Sequence, residues 1–329
     1  MNVIIKAKYY NSRHVRVPNP GEVLYQDAAT NGGAPIVAAS FLRQYRDMTR
    51  QRVMLMGGSF DFSGNAVNRV DMLDTFPKPK TEEGKEEEEE VGGGVKIEHL
   101  WKSCPPMLQA RIWFAVEWFR GEVFSFSSND GPGRGTVERI DTLSKKRTLL
   151  QQPLPLPSLC GLSTAVLDEK LYIIGGWYEP TPGNWVWSDA MYCFVDHPTY
   201  PSAATWALQS AKLNTPRCAH ASIVFQRRIW VAGGVDSNYN DLSSVEVFDA
   251  AVNKWESAPA MVRKRRCFKL VVVGNELYAV GGEPHTDKVS IEKLSKFSGA
   301  WQMVAEIDEN RLGCGAAAVG SKILSLIHI

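Results

Sequence analysis

Six cysteines, six histidines and a dense run of glutamates are the residues of this 329-residue chain that could bind a metal or activate a nucleophile. Four of the cysteines, Cys160, Cys218, Cys267 and Cys314, each open a short apolar run at what reads as one position of a repeat, so their thiols could converge. A structural zinc site would add a CxxC spacing or a pair of histidines, and neither accompanies any of the four. They read instead as free cysteines acting as small buried hydrophobes. His220 lies two residues past Cys218 in one repeat alone and reads as a packed core histidine. No Gly-x-Ser-x-Gly elbow, Walker loop or confident pair of catalytic carboxylates is present. Catalytic residues, metal and cofactor are therefore all expected to be absent.

Charge narrows the partners. The net charge is +1, but Thr81–Glu90 alone holds seven Glu and one Lys, so the remainder carries about +7. That is too weak an excess for a nucleic-acid-binding protein of this length. Residues 81–94, ending in Gly92-Gly93-Gly94, cannot bury apolar surface and are expected to form a mobile loop; an acidic docking tail is the other reading. No apolar run approaches the roughly 18 residues that span a bilayer. Met1–Tyr10, with Lys6 and Lys8 behind a short Val-Ile-Ile run, lacks the apolar core and cleavage site of a signal peptide. With reduced cysteines, this points to the cytoplasm, or else the nucleus, and to no membrane partner.

The elements that would position these groups repeat. Cys218–Met261 holds four short runs with turns between them: an apolar run before Gln226-Arg227, one ending in Gly233-Gly234, Val-Glu-Val-Phe-Asp with Phe248, and one opening with Trp255. Four such strands make one antiparallel sheet. The pattern recurs with Gly175-Gly176 and Trp206, and again with Gly281-Gly282 and Trp301. These three glycine pairs are 58 and 48 residues apart, near the period of about 50 for a propeller blade. A first copy has strands at 35–41, 51–56 and 68–73, with Gly57-Gly58 and Trp101. A second, at 111–147, keeps the hydrophobic pattern but has Ser127-Ser128 for the glycines and Arg147 for the Trp. A sixth starts at Gly313 and breaks off. Residues 1–33 fit no repeat and offer at most a closing strand or the remnant of an upstream domain. The last six residues, 324–329, are what one frame of a transposon-derived sequencing adapter encodes, so they are expected to be an artefact and the true chain to diverge after Ile323.

A glycine pair, an aromatic on the third strand, a Trp and an Arg before the next unit together resemble the kelch repeat, over residues 34–323. The resemblance implies an all-β kelch propeller, six-bladed when complete, with its last blade incomplete here. It is similar in spacing to the kelch-like adaptor proteins, in which a BTB and BACK region binds a cullin scaffold and the propeller captures the protein to be ubiquitylated. No BTB or BACK region occurs in this sequence, so any cullin contact would be made by a missing part. In such adaptors the ligand sits on loops after the glycine pair and between blades. The matching positions are Trp177, Tyr178, Asn238, Tyr239, Glu283 and His285, with Arg217, Arg263, Arg265 and Arg266 between blades. An aromatic-plus-Arg surface suits a short acidic peptide of a protein substrate. Arg217 and Arg266 occupy the repeat's own Arg position and could equally tie blades together; Arg263-Lys264-Arg265 stands outside the repeat. The leading reading is a non-catalytic recognition module of a ubiquitin-ligase adaptor. Actin or cytoskeleton binding is a second reading, and a kelch-type enzyme such as an oxidase or sugar isomerase a third.

Overall fold

In the computed structural model, residues 4–8, 38–47, 50–58, 70–74 and 101–327 are described, the last span without 129–130, 142–143, 151–153, 197–203, 284–288, 296–297, 308–312 and 320–321. Among the described residues there are strands and no α-helix, hence no helix able to cross a membrane. The acidic run and His285 lie outside the described residues.

Strand β1 (Ile4–Lys8) stands apart in sequence. The first blade is β2 (Ala38–Asp47), β3 (Arg50–Gly58), β4 (Val70–Asp74) and β5 (Trp101–Cys104), and the second is β6 (Ala115–Phe119), β7 (Glu122–Phe126), β8 (Val137–Asp141) and β9 (Arg147–Leu149). The third is β10 (Ser163–Leu167), β11 (Lys170–Ile174), β14 (Met191–Val195) and β15 (Thr205–Leu208), with an extra hairpin, β12 (Trp177–Thr181) and β13 (Asn184–Trp187), inserted after the glycine pair. The fourth is β16 (Ala221–Phe225), β17 (Arg228–Ala232), β18 (Val245–Asp249) and β19 (Lys254–Ala258); the fifth is β20 (Lys269–Val273), β21 (Glu276–Val280), β22 (Val289–Leu294) and β23 (Trp301–Ile307). Each is a four-stranded antiparallel sheet in chain order. The sixth sheet has three strands: β24 (Gly315–Val319), β25 (Lys322–Ile327) and β1, which joins β25 in parallel with Ile4 opposite Ile323. Innermost strands β2, β6, β10, β16, β20 and β24 neighbour one another in turn, and β24 returns to β2. The architecture is that of a β-propeller, with three strands of the sixth sheet among the described residues.

The core lies between blades, because each twisted sheet buries both faces against its neighbours. Phe124, Phe126 and Phe119 of blade two pack with Leu171, Ile173 and Phe194 of blade three. Phe248 and Trp255, opposite one another in register with ring centroids 5.3 Å apart, pack against Tyr172, Ile174 and Met191. Trp301 fills the same role between blades four and five, and its indole N–H donates to the Pro259 carbonyl at 3.0 Å. In blade two Arg147 stands where that Trp would be, and its guanidinium donates to the carbonyl of Pro106. The substitution keeps the polar link to the preceding connection and gives up the ring.

The first strand of blade one is described over Ala38–Asp47 and so extends past the 35–41 read from the pattern, of which 35–37 lie outside the described residues. One sequence expectation is corrected: the four cysteines do not share one position. Ser163, Ala221, Lys269 and Gly315 open their innermost strands in equivalent register, which places Cys160 and Cys218 three residues upstream, Cys267 two and Cys314 one. Among the described residues no group of three His, Cys, Asp or Glu side chains is placed to hold a metal ion.

Candidate functional site

The glycine pair closes each second strand and hands the chain to one face of the ring. At Gly234 φ is +95°, and a Cβ would sit 2.5 Å from the Cys218 carbonyl oxygen, so only glycine fits. The Gly234 N–H donates at 2.7 Å to the Arg265 carbonyl of the next connection, and Gly176 does the same to Arg217 at 2.9 Å. Blade two manages with serine. Ser127 adopts φ +60°, and the Ser128 hydroxyl accepts the Ile112 N–H at 3.0 Å.

Arg217 and Arg265, two residues expected on the ligand face, are instead wholly buried. Arg217 donates to Gly233 and Ser244 carbonyls at 2.9 and 3.1 Å and to Glu246 at 2.7 Å. Arg265 donates to Gly281 and Ser290 carbonyls at 2.6 and 2.9 Å and to Glu292 at 2.8 Å. Arg111 makes the corresponding set on Ser127, Gly133 and Thr136, 3.8 Å from Glu138. Arg265, not Arg266, is therefore the repeat arginine of blade five. Each partner glutamate also captures two backbone N–H groups of the connection before its blade, Leu108 and Gln109 on Glu138, Asn214 and Thr215 on Glu246, Val262 and Arg263 on Glu292. Burial lowers Arg111 to about 10 and raises Glu138, the mutual attraction only partly offsetting it. The pairs thus hold shape more than they add net stability. Glu283 belongs to the same set. It is buried, accepts from the Ser290 N–H and hydroxyl, and lies 3.3 Å from Arg265, which removes it from the ligand face.

What does reach the face is aromatic. In the β12–β13 hairpin, alternation points Tyr178 and Val186 one way and Trp177, Trp185 and Trp187 the other. Tyr178 packs back on the core between blades two and three. The three Trp rings form a row, Trp185 to Trp177 at 4.9 Å and Trp177 to Trp187 at 5.5 Å. Trp187 continues to Tyr239 of blade four at 5.0 Å with the rings nearly perpendicular, 83° apart. At the other end the Arg134 guanidinium of blade two lies 4.7 Å over Trp185 and pairs with Glu179 at 2.7 Å. The row therefore crosses three blades.

Both supports are stiff. Trp177 and Cys160 exchange backbone hydrogen bonds of 2.9 Å each, and the Gly183 N–H donates to Glu179 at 2.7 Å in the hairpin turn. In the blade-four loop Asp236 accepts the Asn238 and Asn240 N–H groups at 2.9 Å each, leaving Tyr239 at φ +62° and 68% exposed. Slight burial opposes it, but these bonds and the nearby Lys264 ammonium hold the Asp236 carboxyl below its ordinary range. Arg266 pairs with Asp241 of that loop at 3.5 Å, while Arg263 and Lys264 are exposed and in no ion pair among the described residues. Trp185 and Trp187 were missed in the sequence. Trp177-Tyr178-Glu179 and Trp185-Val186-Trp187 on either side of Pro180-Thr181-Pro182-Gly183 were the available signal, an alternating pair of runs about a turn.

Beneath this face a channel cavity of about 260 Å³ runs among the innermost strands, reached by His220, Ser163, Thr164 and Lys269. His220 is buried and hydrogen-bonded to Ser163 of blade three at 2.7 Å, a bridge between blades. Burial and the Arg217 charge bring its pKa down to about 3, so the ring is neutral. Around the channel mouth Trp113, Gly161, Ala219, Cys267 and Gly313 all have φ between +49° and +76°. The Ala219 N–H donates to the Gly161 carbonyl, Cys267 to Ala219 and Gly313 to Cys267, each at 2.8 Å.

The kelch motif family matches residues 158–188 and 216–262, the third and fourth blades. Kelch-like protein 41a of Danio rerio is 27% identical over 235 residues, covering 68% of this chain and 37% of that protein. Kelch-like protein 40 of Xenopus tropicalis is 23% identical over 242 residues, 70% of this chain and 38% of that protein. The chain thus spans under two fifths of the length of these relatives. Among solved structures, that of YjhT matches with a TM-score of 0.57 at 16% identity, over 66% of this chain and 72% of that one, a likeness of fold alone. Repeat motifs, relatives and ring of blades agree: this chain is a kelch-repeat β-propeller resembling the kelch-like proteins.

Proposed function

We propose that the chain is a non-catalytic recognition module that binds a protein ligand on the face carrying Trp177, Trp185, Trp187 and Tyr239. The observation that supports this reading is the row itself: four large rings on rigid supports, flanked by the exposed Arg263 and Lys264. Trp, Tyr and Arg dominate the energy of protein interfaces, and preorganised anchors lose little entropy on binding. Asn238 and Arg266 border the same loop. By analogy with the kelch-like relatives, the chain acts in the cytoplasm as the substrate-recognition part of a cullin-RING ubiquitin-ligase adaptor, the cullin being held by a BTB and BACK region elsewhere in the full protein.

The test is affinity purification of the full-length gene product from its own cells, wild type against Tyr239→Ala and Arg263→Glu/Lys264→Glu. Loss of a ligand from both variants, with a cullin retained in all three samples, supports the whole reading. An unchanged set of ligands opposes the surface, and absence of cullin from every sample opposes the adaptor role.

A further inference from the structure

We infer that the aromatic row reads a proline-rich segment in polyproline II conformation, with acidic residues following toward blade five. This rests on the proposed recognition function and specifies its ligand. The shape of the row carries the first half. Trp177 meets Trp187 at 64° and Trp187 meets Tyr239 at 83°, so successive rings touch edge to face and the surface is stepped, each step a corner between one ring face and the next ring's edge. Perpendicular aromatic walls of this kind hold pyrrolidine rings, and a polyproline II chain enters them already ordered. The three centroid steps of 4.9, 5.5 and 5.0 Å limit the row to about 15 Å, the length of roughly five residues at 3.1 Å each.

Charge carries the second half. At the blade-two end the Arg134 guanidinium is already neutralised by Glu179 and stacked on Trp185, so that end selects no charge. At the blade-four end the Tyr239 loop is joined to the following connection by the Arg266–Asp241 pair. Arg263 and Lys264 on that connection are exposed, and the backbone N–H of Arg263 is fixed by Glu292. A ligand leaving the row past Tyr239 meets the Arg263 guanidinium and the Lys264 ammonium, the latter partly offset by Asp236, so the exit from the row is net positive on a fixed backbone. Acidic residues complement them, and desolvation by the aromatic row strengthens the attraction.

The test pans a random dodecapeptide display library on the full chain. The expected result is enrichment of peptides with at least two prolines followed by Asp or Glu. For a synthetic fluorescent copy of the enriched peptide, Pro→Ala changes in the peptide or Tyr239→Ala in the protein weaken binding at least tenfold, with the protein's thermal midpoint unchanged. Arg263→Glu/Lys264→Glu weakens binding and removes its salt dependence, yet keeps the response to Pro→Ala. Enriched peptides that lack proline, or that bind Tyr239→Ala as well as wild type, overturn the inference and leave protein recognition standing. Failure to enrich any peptide overturns the inference too, and if purified ligands are then also insensitive to Tyr239→Ala the recognition face itself falls.

Discussion

The Arg265 guanidinium donates to the Glu292 carboxylate at 2.8 Å with both side chains fully buried, and the same bond joins Arg217 to Glu246 at 2.7 Å. These arginines position the blade edge from which the face projects. They do not touch what the face binds. Arg265→Leu leaves Glu292 and Glu283 buried without their cation and is expected to destabilise by about 3–5 kcal/mol. Arg263→Leu, two residues earlier and exposed, is expected to stay within about 0.5 kcal/mol of wild type. Urea denaturation of the two variants checks this; equal effects would sink the assignment of Arg265 to the interior.

Glycine at 234 is a steric requirement, and glycine at 274 is not. Around Gly274, where φ is +61°, a Cβ would meet nothing within 4 Å, whereas at Gly234 it strikes the Cys218 carbonyl and His220. Gly274→Ala should cost about 1 kcal/mol from backbone conformation. Gly234→Ala should cost several times that or abolish soluble expression. Thermal melts of both proteins separate the two effects, and similar midpoints would refute the steric account.

His220 should make the fold acid-sensitive. The unfolded chain binds a proton on this ring below about pH 6.5, while the folded ring stays neutral down to about pH 3. The unfolded state therefore binds more protons throughout that window, and this group's share of stability falls as pH falls, by up to about 1.4 kcal/mol per pH unit. His220→Gln, which keeps a polar group for Ser163, should flatten the pH dependence between 6 and 4 in urea titrations. A slope identical to wild type would show that the ring is protonated in place.

The thiols of Cys160 and Cys218 are buried, and burial pushes both up to about 12. Reaction with a disulfide reagent at pH 8 should run on the order of 10³-fold slower than for an exposed cysteine, because only thiolate reacts. Labelling followed by mass spectrometry, with and without denaturant, reads each site separately. Rapid labelling of Cys218 in the native protein would contradict its burial.

The repeat was legible because its signature residues each solve a steric or packing problem in every blade. Gly233-Gly234, Phe248 and Trp255 announce themselves by type. The buried glutamates were harder to see: Glu138, Glu246 and Glu292 look like outward-facing charges in an alternating strand, and only the bonds they accept from the preceding connection reveal them. The one-residue error that put Arg266 in place of Arg265 followed from anchoring on Cys267, whose register differs from that of Cys218. The face suffered most. Its Trp185 and Trp187 depend on a hairpin that, among the described residues, is inserted in blade three alone, and such a feature has no repeat to expose it.

The hydrogen bonds round the channel mouth have a mechanical consequence. Gly161, Ala219, Cys267 and Gly313 are linked head to tail, so each middle residue donates to the blade before and accepts from the blade after. An open array of repeats can fray from an end because each unit answers only to its neighbours. Here blade four or five, tilted outward, must break a bond on both sides at once, at the level where the lever arm to the axis is shortest. Blades three to six are therefore geared together, and a ligand pressing on the Trp hairpin of blade three pushes against four sheets.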